Sequence, residues 1–217
     1  MIVGLAKLQQ LQVLDVSHTE FNYHGLEIVA EDLPCLHSLN ISATRVRDIS
    51  PLKKCKNRLK WLSMYNLRSV SGGCQEFVPI LCELKNLVHL DISDDRENPL
   101  DMLTPLQDST SELLQRPECF VNLKSLDLSG REGIDSDQLK RFIIYKRNLG
   151  KEYSLRFLGL MQTQLCSEEI LISESHPYYS KDLIVTGNST ECQILESLRR
   201  YYSRASFVQK SLYHLYS

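Results

Sequence analysis

Leu123-Lys124-Ser125-Leu126-Asp127-Leu128-Ser129-Gly130-Arg131 is the stretch on which the fold turns. It reads L-x-x-L-x-L, with polar residues between and after the leucines. Neighbouring residues of an extended strand face opposite ways, so Leu126 and Leu128 point to one side while Ser125, Asp127 and Ser129 point to the other. The leucine side has to be covered, and so short a strand cannot cover itself. The same reading recurs at Leu11-Gln-Val-Leu14-Asp-Val16, Leu36-His-Ser-Leu39-Asn-Ile41 and Leu59-Lys-Trp-Leu62-Ser-Met64. It recurs again at Leu87-Val-His-Leu90-Asp-Ile92 and Leu155-Arg-Phe-Leu158-Gly-Leu160.

The first leucines of the six segments lie 25, 23, 28, 36 and 32 residues apart. Self-similarity at such a period is the leucine-rich-repeat signature, with insertions in the later repeats. Stacked repeats bury a continuous leucine column and pair their strands into a parallel sheet. The expected architecture is therefore an α/β leucine-rich-repeat solenoid with a curved parallel sheet over residues 1–187, followed by a helical segment over residues 188–217. Leu183-Ile-Val-Thr-Gly187 reads as a last short strand that closes the sheet.

Helices are expected behind the strands. Leu26, Val29, Ala30 and Leu33 recur at helical spacing, as do Phe77, Ile80, Leu81 and Leu84 after the Gly72-Gly73 break. A third begins at Asp135-x-Asp137, where acidic residues suit a helix N-terminus, and continues through Leu139, Phe142 and Ile143. Residues 98–119 carry Pro99, Pro105 and Pro117 and read as an inserted loop with one helix near residues 109–115.

Composition agrees with this reading and narrows function. Leucine supplies 36 of 217 residues, and the hydrophobic and charged fractions, 42% and 24%, are those of a globular chain. No apolar run approaches the ~18–20 residues of a membrane span. A net charge of −2 is too close to neutral for a protein that holds nucleic acid mainly by charge. The charge is uneven: residues 140–217 hold 11 basic and 7 acidic residues, a net of +4, and the remainder a net of −6. Seven cysteines, odd in number and never closely spaced, with no signal peptide ahead of them, favour reduced thiols in a cytoplasmic and/or nuclear protein. For the same reason the sequons at Asn40 and Asn188 are not expected to carry sugar. Zinc motifs, phosphate-cradling loops and nucleophile elbows are absent from the sequence, so no metal, cofactor or catalytic residue is expected.

The positions facing away from the core form the candidate site. The central one runs Asp15, Asn40, Ser63, Asp91, Asp127, Gly159; the one before it Val13, Ser38, Trp61, His89, Ser125, Phe157; the one after it Ser17, Ser42, Tyr65, Ser93, Ser129, Met161. Two readings of the acidic positions stand side by side, a solvated ladder and a surface that takes a basic peptide. Aromatic residues are unusual on a face where serine is the default, and Trp and Tyr are enriched at binding hot spots. Trp61, Tyr65, His89 and Phe157 therefore join Asp15, Asn40, Asp91 and Asp127 as a candidate protein-binding face. The alternative is that the aromatics pack against a loop or a flanking domain.

Beyond the repeats, Asn188-Ser-Thr-Glu191 resembles a capping box, and Ile194, Leu195, Leu198, Tyr201, Tyr202, Phe207, Val208, Leu212 and Leu215 follow at helical period, with a break near Ser203. Such a pair of helices could fold back on the solenoid as a cap or open a helical-repeat domain, and the second is the expectation. Solenoids need polar caps at their ends. Residues 1–8 look too short for one, so an exposed apolar first edge and self-association are expected.

Leu90-Asp-Ile-Ser-Asp-Asp95, Leu126-Asp-Leu-Ser-Gly-Arg131, Arg199-Arg-Tyr-Tyr-Ser-Arg-Ala-Ser-Phe-Val208 and Leu212-Tyr-His-Leu-Tyr-Ser217 resemble the Zyg-eleven family, substrate receptors of cullin-two ubiquitin ligases. The resemblance runs from about Leu11 onward and preserves repeat order. It implies a plan of cullin-recruiting box, leucine-rich repeats and an armadillo-like domain that recognises an N-terminal glycine. This chain matches the repeats and the first armadillo-like helices. The resemblance therefore implies a fragment or short isoform acting as a non-catalytic scaffold. Cullin-two and the elongin complex would be met through a missing N-terminal region, and glycine-ended substrates through a missing C-terminal domain. The alternative is a free-standing repeat protein that binds or inhibits a partner on its concave face.

Overall fold

The computed structural model describes residues 2–67, 74–95 and 107–216. Seven three-residue strands form one parallel sheet in sequence order: β1 (Val13–Asp15), β2 (Ser38–Asn40), β3 (Trp61–Ser63), β4 (His89–Asp91), β5 (Ser125–Asp127), β6 (Phe157–Gly159) and β7 (Ile184–Thr186). The register is the one the repeat demands. Leu14, Leu39, Leu62, Leu90, Leu126, Leu158 and Val185 stand opposite one another across the six pairings. From Leu39 to Leu158 this column is at most 1% exposed. The chain is thus a leucine-rich-repeat solenoid, and β7 adds a seventh strand at the position foreseen for it.

Four of the seven strands, β1, β2, β4 and β5, end in an Asp or Asn that shapes the turn after it. The central Asp or Asn turns its side chain back and accepts the backbone N–H two residues on: Asp15 from Ser17 (2.8 Å), Asn40 from Ser42 (3.0 Å), Asp91 from Ser93 (2.9 Å) and Asp127 from Ser129 (3.0 Å). These Asx turns bend the chain while backbone pairing to the next repeat goes on, as Val16 N donates to Asn40 O and His18 N to Ser42 O. The residue after the turn is left-handed at His18, Ala43 and Gly130, and the equivalent Asn66 and Gln162 are left-handed without an Asx turn, all with φ between 52° and 74°. At Gly130 the turn demands glycine, because a Cβ would fall 1.7 Å from the Asp94 carbonyl oxygen.

Behind the sheet lie α1 (Ile2–Leu5), α2 (Tyr23–Asp32), α3 (Cys74–Glu83), α4 (Gln107–Leu114), α5 (Ser136–Asn148) and α6 (Glu169–Ile172). Asn22 caps α2 and Asp135 caps α5 through side-chain acceptors. Residues 50–55, 117–120 and 164–167 form 3-10 turns; the first stands in place of a helix in the shortest repeat, and the other two accompany α4 and α6. Gly72, Gly73, Pro99 and Pro105 lie outside the described residues. Lys146 on α5 is fully buried and donates to the carbonyls of Phe120 and Val121, and burial, with Lys124 nearby, pushes it down to about 8. At the first edge, α1 packs on α2, and Leu5, Leu11 and Leu14 are half-buried against the core.

Residues 191–216 form two further helices, α7 (Glu191–Arg200) and α8 (Ala205–Tyr216), broken at 201–204. The cap of α7 is Thr190, whose side chain accepts from Gln193 N, rather than Asn188. Asn188 is drawn away by hydrogen bonds to the Cys166 thiol and to His214. The two helices turn back across the outward face of the sheet.

Candidate protein-interaction site

The repeat pattern turns one row of side chains per strand position away from the leucine core, and α7–α8 cover the later half of those rows. Tyr201 is the centre of the contact. Its hydroxyl donates to Asp127 Oδ2 at 2.7 Å and lies 2.8 Å from Ser129 Oγ and 3.0 Å from Thr186 Oγ1. One donor and two lone pairs are thereby all used, so a phenol 3% exposed carries no unmet hydrogen bond. Burial, reinforced by Asp127, raises Tyr201 well above the usual phenol range. It therefore stays a neutral donor.

Two arginines flank it. Arg204 donates to Asp95 Oδ2 (3.0 Å) and to Ser93 Oγ (2.7 Å), and its guanidinium lies 4.3 Å from both the Tyr65 and Phe207 ring centres. Burial opposes the charge on Arg204, but the Asp95 hydrogen bond and the carboxylates of Asp91 and Asp127 outweigh it and hold its proton more tightly than usual. Arg200 stacks over Phe157 at 4.0 Å. An apolar cluster of Met161, Tyr201 and Phe207, separate from the main core, seals the contact.

The eight candidate residues divide across this boundary. Asp127, His89 and Phe157 are 1%, 3% and 6% exposed. Asp127 and Phe157 lie beneath Tyr201 and Arg200, and Asp91 is half-buried beside Arg204, so an outside partner reaches Asp127 and Phe157 only by displacing the helices. Tyr65 stands at the border, with Arg204 over its ring and its hydroxyl 2.7 Å from His18 Nε2. Asp15, Asn40 and Trp61 remain on the open half. Asp15 is exposed and Trp61 is 49% exposed, with its indole stacked on the His89 ring at 4.5 Å. Burial opposes the Asp15 charge, but hydrogen bonds from Ser17 and Asn40 together outweigh it and keep the carboxyl below its ordinary value.

His89 lies 2.8 Å from Ser125 Oγ and 3.4 Å from Ser63 Oγ. Burial, assisted by Arg200 and opposed by Asp127, pushes the imidazole down to about 4. A ring so poor in basicity and covered by Trp61 suits a structural role better than proton abstraction at neutral pH. Among the described residues no group of three or more His, Cys, Asp or Glu side chains is arranged to hold a metal ion. None of the described helices is long and apolar enough to cross a membrane.

Sequence reasoning overlooked Ser93, Asp95, Ser129 and Thr186 as partners of the final helices. A signal was present in the sixth repeat, which breaks the polar pattern three times, at Phe157, Gly159 and Met161. Gly159 is the telling one. A Cβ there would sit 2.0 Å from Asp127 Oδ1 and 2.8 Å from the Tyr201 hydroxyl, so the bare glycine makes room for that bond.

Comparison with known proteins covers most of the chain. The family described as Zer-1-like, leucine-rich repeats, matches residues 27–152, more than half of the sequence. Two curated relatives, each named Protein zer-1 homolog, come from Homo sapiens and Pongo abelii. Each is 26% identical over 191 residues, an alignment that takes in 81% of this chain and 23% of the relative. The chain thus spans about a quarter of the length of the curated relatives it matches.

Proposed function

The chain belongs to the Zer-1-like leucine-rich-repeat family, and from that premise we propose that it is the non-catalytic interaction scaffold of a receptor for a cullin-two ubiquitin ligase. In this reading the solenoid is a stiff spacer, and α7–α8 are the first helices of an armadillo-like part. The observation that carries it is the buried Tyr201–Asp127 bond with its two accompanying hydroxyls. That contact ties residues 74 apart in sequence and holds α7–α8 at one orientation to the sheet. A scaffold needs such a rigid joint between the element that recruits the ligase and the element that meets the substrate. Cullin-two and elongins would be recruited by a region preceding the repeats, and N-terminal glycine would be read by helices following α8.

Affinity capture tests this. This chain and a full-length relative are expressed with the same tag and scored for cullin two and elongins. The relative should retain both and this chain neither; capture by this chain would overturn the assignment of recruitment to a preceding region. In the full-length relative, a disrupted repeat core should abolish modification of glycine-ended substrates, and normal modification would remove the spacer role.

A second reading, direct gripping of a partner on the concave face, is favoured by one observation, the half-exposed Trp61 beside the open strands.

A further inference from the structure

The open half of the concave face has the same chemistry as the half that α7–α8 fill, and the filled half shows what that chemistry binds. Aromatic positions under the helices take an arginine on the ring, as Arg200 lies over Phe157 on β6 and Arg204 over Tyr65 at the border after β3. Acidic and hydroxyl positions take a donor, as Asp127 takes Tyr201 and Ser93 takes Arg204. On β1–β3 one more aromatic position, Trp61, and one more acidic position, Asp15, stand uncovered. Val13, 59% exposed, adds apolar surface beside them. The nine outward positions of these strands, Val13, Asp15, Ser17, Ser38, Asn40, Ser42, Trp61, Ser63 and Tyr65, include no lysine or arginine. Strand alternation turns Lys60 away from the row that holds Trp61.

We propose that β1–β3 form a docking surface for an arginine-bearing helix of a protein partner, with a guanidinium on the open face of Trp61 and a second cation at Asp15. A cation over indole is the strongest of the aromatic cation pairings, and arginine, planar and weakly hydrated, stacks better than lysine. Trp61 and Asp15 lie two strands and two residues apart, about 12 Å in all. Two turns of helix span about the same distance. The site is preorganised: His89 supports the buried face of the indole, and Ser17 and Asn40 hold Asp15 in place with its charge retained. Apart from Tyr65, which Arg204 already covers, the surface lies beside α7–α8, so a partner at Trp61 and Asp15 binds without displacing the joint on which the scaffold reading rests.

Trp61 is the sole tryptophan, so its fluorescence reports on the site alone. The probes are labelled alanine-rich helical peptides carrying two arginines two turns apart, with lysine and glutamate counterparts. The arginine peptide should shift Trp61 emission saturably, the lysine peptide should bind several-fold more weakly, and the glutamate peptide should not bind. In peptide anisotropy, Trp61→Leu should lose most of the affinity and Asp15→Asn several-fold, with circular dichroism unchanged. Equal binding of the glutamate peptide, absence of saturable binding, or full affinity in both variants would overturn the proposal. None of these results would bear on cullin or elongin capture.

Discussion

Asp91 and His89 are neighbours on one strand whose burial has opposite consequences for pH. Burial, with Asp127 adding to it, pushes Asp91 up to about 6, and burial lowers His89 to about 4. Between about pH 4 and 6 the folded chain keeps the Asp91 proton that the unfolded chain releases, so this group's contribution to stability falls as pH rises. Over the same interval the unfolded chain protonates His89 while the folded chain does not, so that contribution rises with pH. The two slopes oppose each other. Relative to the parent, His89→Gln should lose stability as pH rises from 4 to 6, and Asp91→Asn should gain it. Denaturant titrations at several pH values check this, and variants that parallel the parent would refute it. Tyr201→Phe removes one hydroxyl from a buried network and leaves Asp127 Oδ2 without its donor; it should cost about 1–3 kcal/mol in chemical denaturation. The Asx turns show how much of the residue scale is local. Asp15, Asn40, Asp91 and Asp127 sit in a legible pattern, but the pattern does not say that each serves the turn first and faces outward second.

At the scale of elements, α7–α8 form a docked unit whose seat is prepared by β5–β7. Gly159→Ala should press a methyl group into the Asp127–Tyr201 bond and loosen both helices. Hydrogen exchange should then speed up over residues 191–216 while β1–β4 keep their protection. Uniform acceleration would mean a global rather than a local effect, and unchanged exchange would mean that the bond does not hold the helices down. Thr190→Ala should cost about 1 kcal/mol through loss of the α7 cap. The existence of both helices and the break between them were legible from helical period. Their cap was read two residues early, because Asn188 and Thr190 both suit the role and only the contacts of Asn188 with Cys166 and His214 decide between them.

The whole molecule is a stack in which each repeat leans on its neighbours. Leu90 lies in the middle of the column and is fully buried, so Leu90→Ala should cost about 2–5 kcal/mol in a thermal or denaturant unfolding transition. The surface away from the column is less sealed. Val13 on β1 is 59% exposed, and Leu195 on α7, Tyr202 in the break and Tyr213 on α8 are 58%, 80% and 71% exposed. Apolar surface of this kind favours association. Light scattering should show a mass that rises with protein concentration; a constant monomer mass would count against it.

The sequence by itself determined the solenoid, its register and its leucine column. Alternation along a strand and a period near one repeat are local properties, and stacking of like units leaves them only one consistent arrangement. It also marked which residues face away from that column. Only the tertiary structure decided which of them stay open, since covering Asp127 with Tyr201, or Tyr65 with Arg204, depends on a docking between segments far apart in the chain. No periodic pattern encodes that contact. Its one trace in the sequence is the break at Phe157, Gly159 and Met161, where the sixth repeat gives up polar residues to receive the helices that follow.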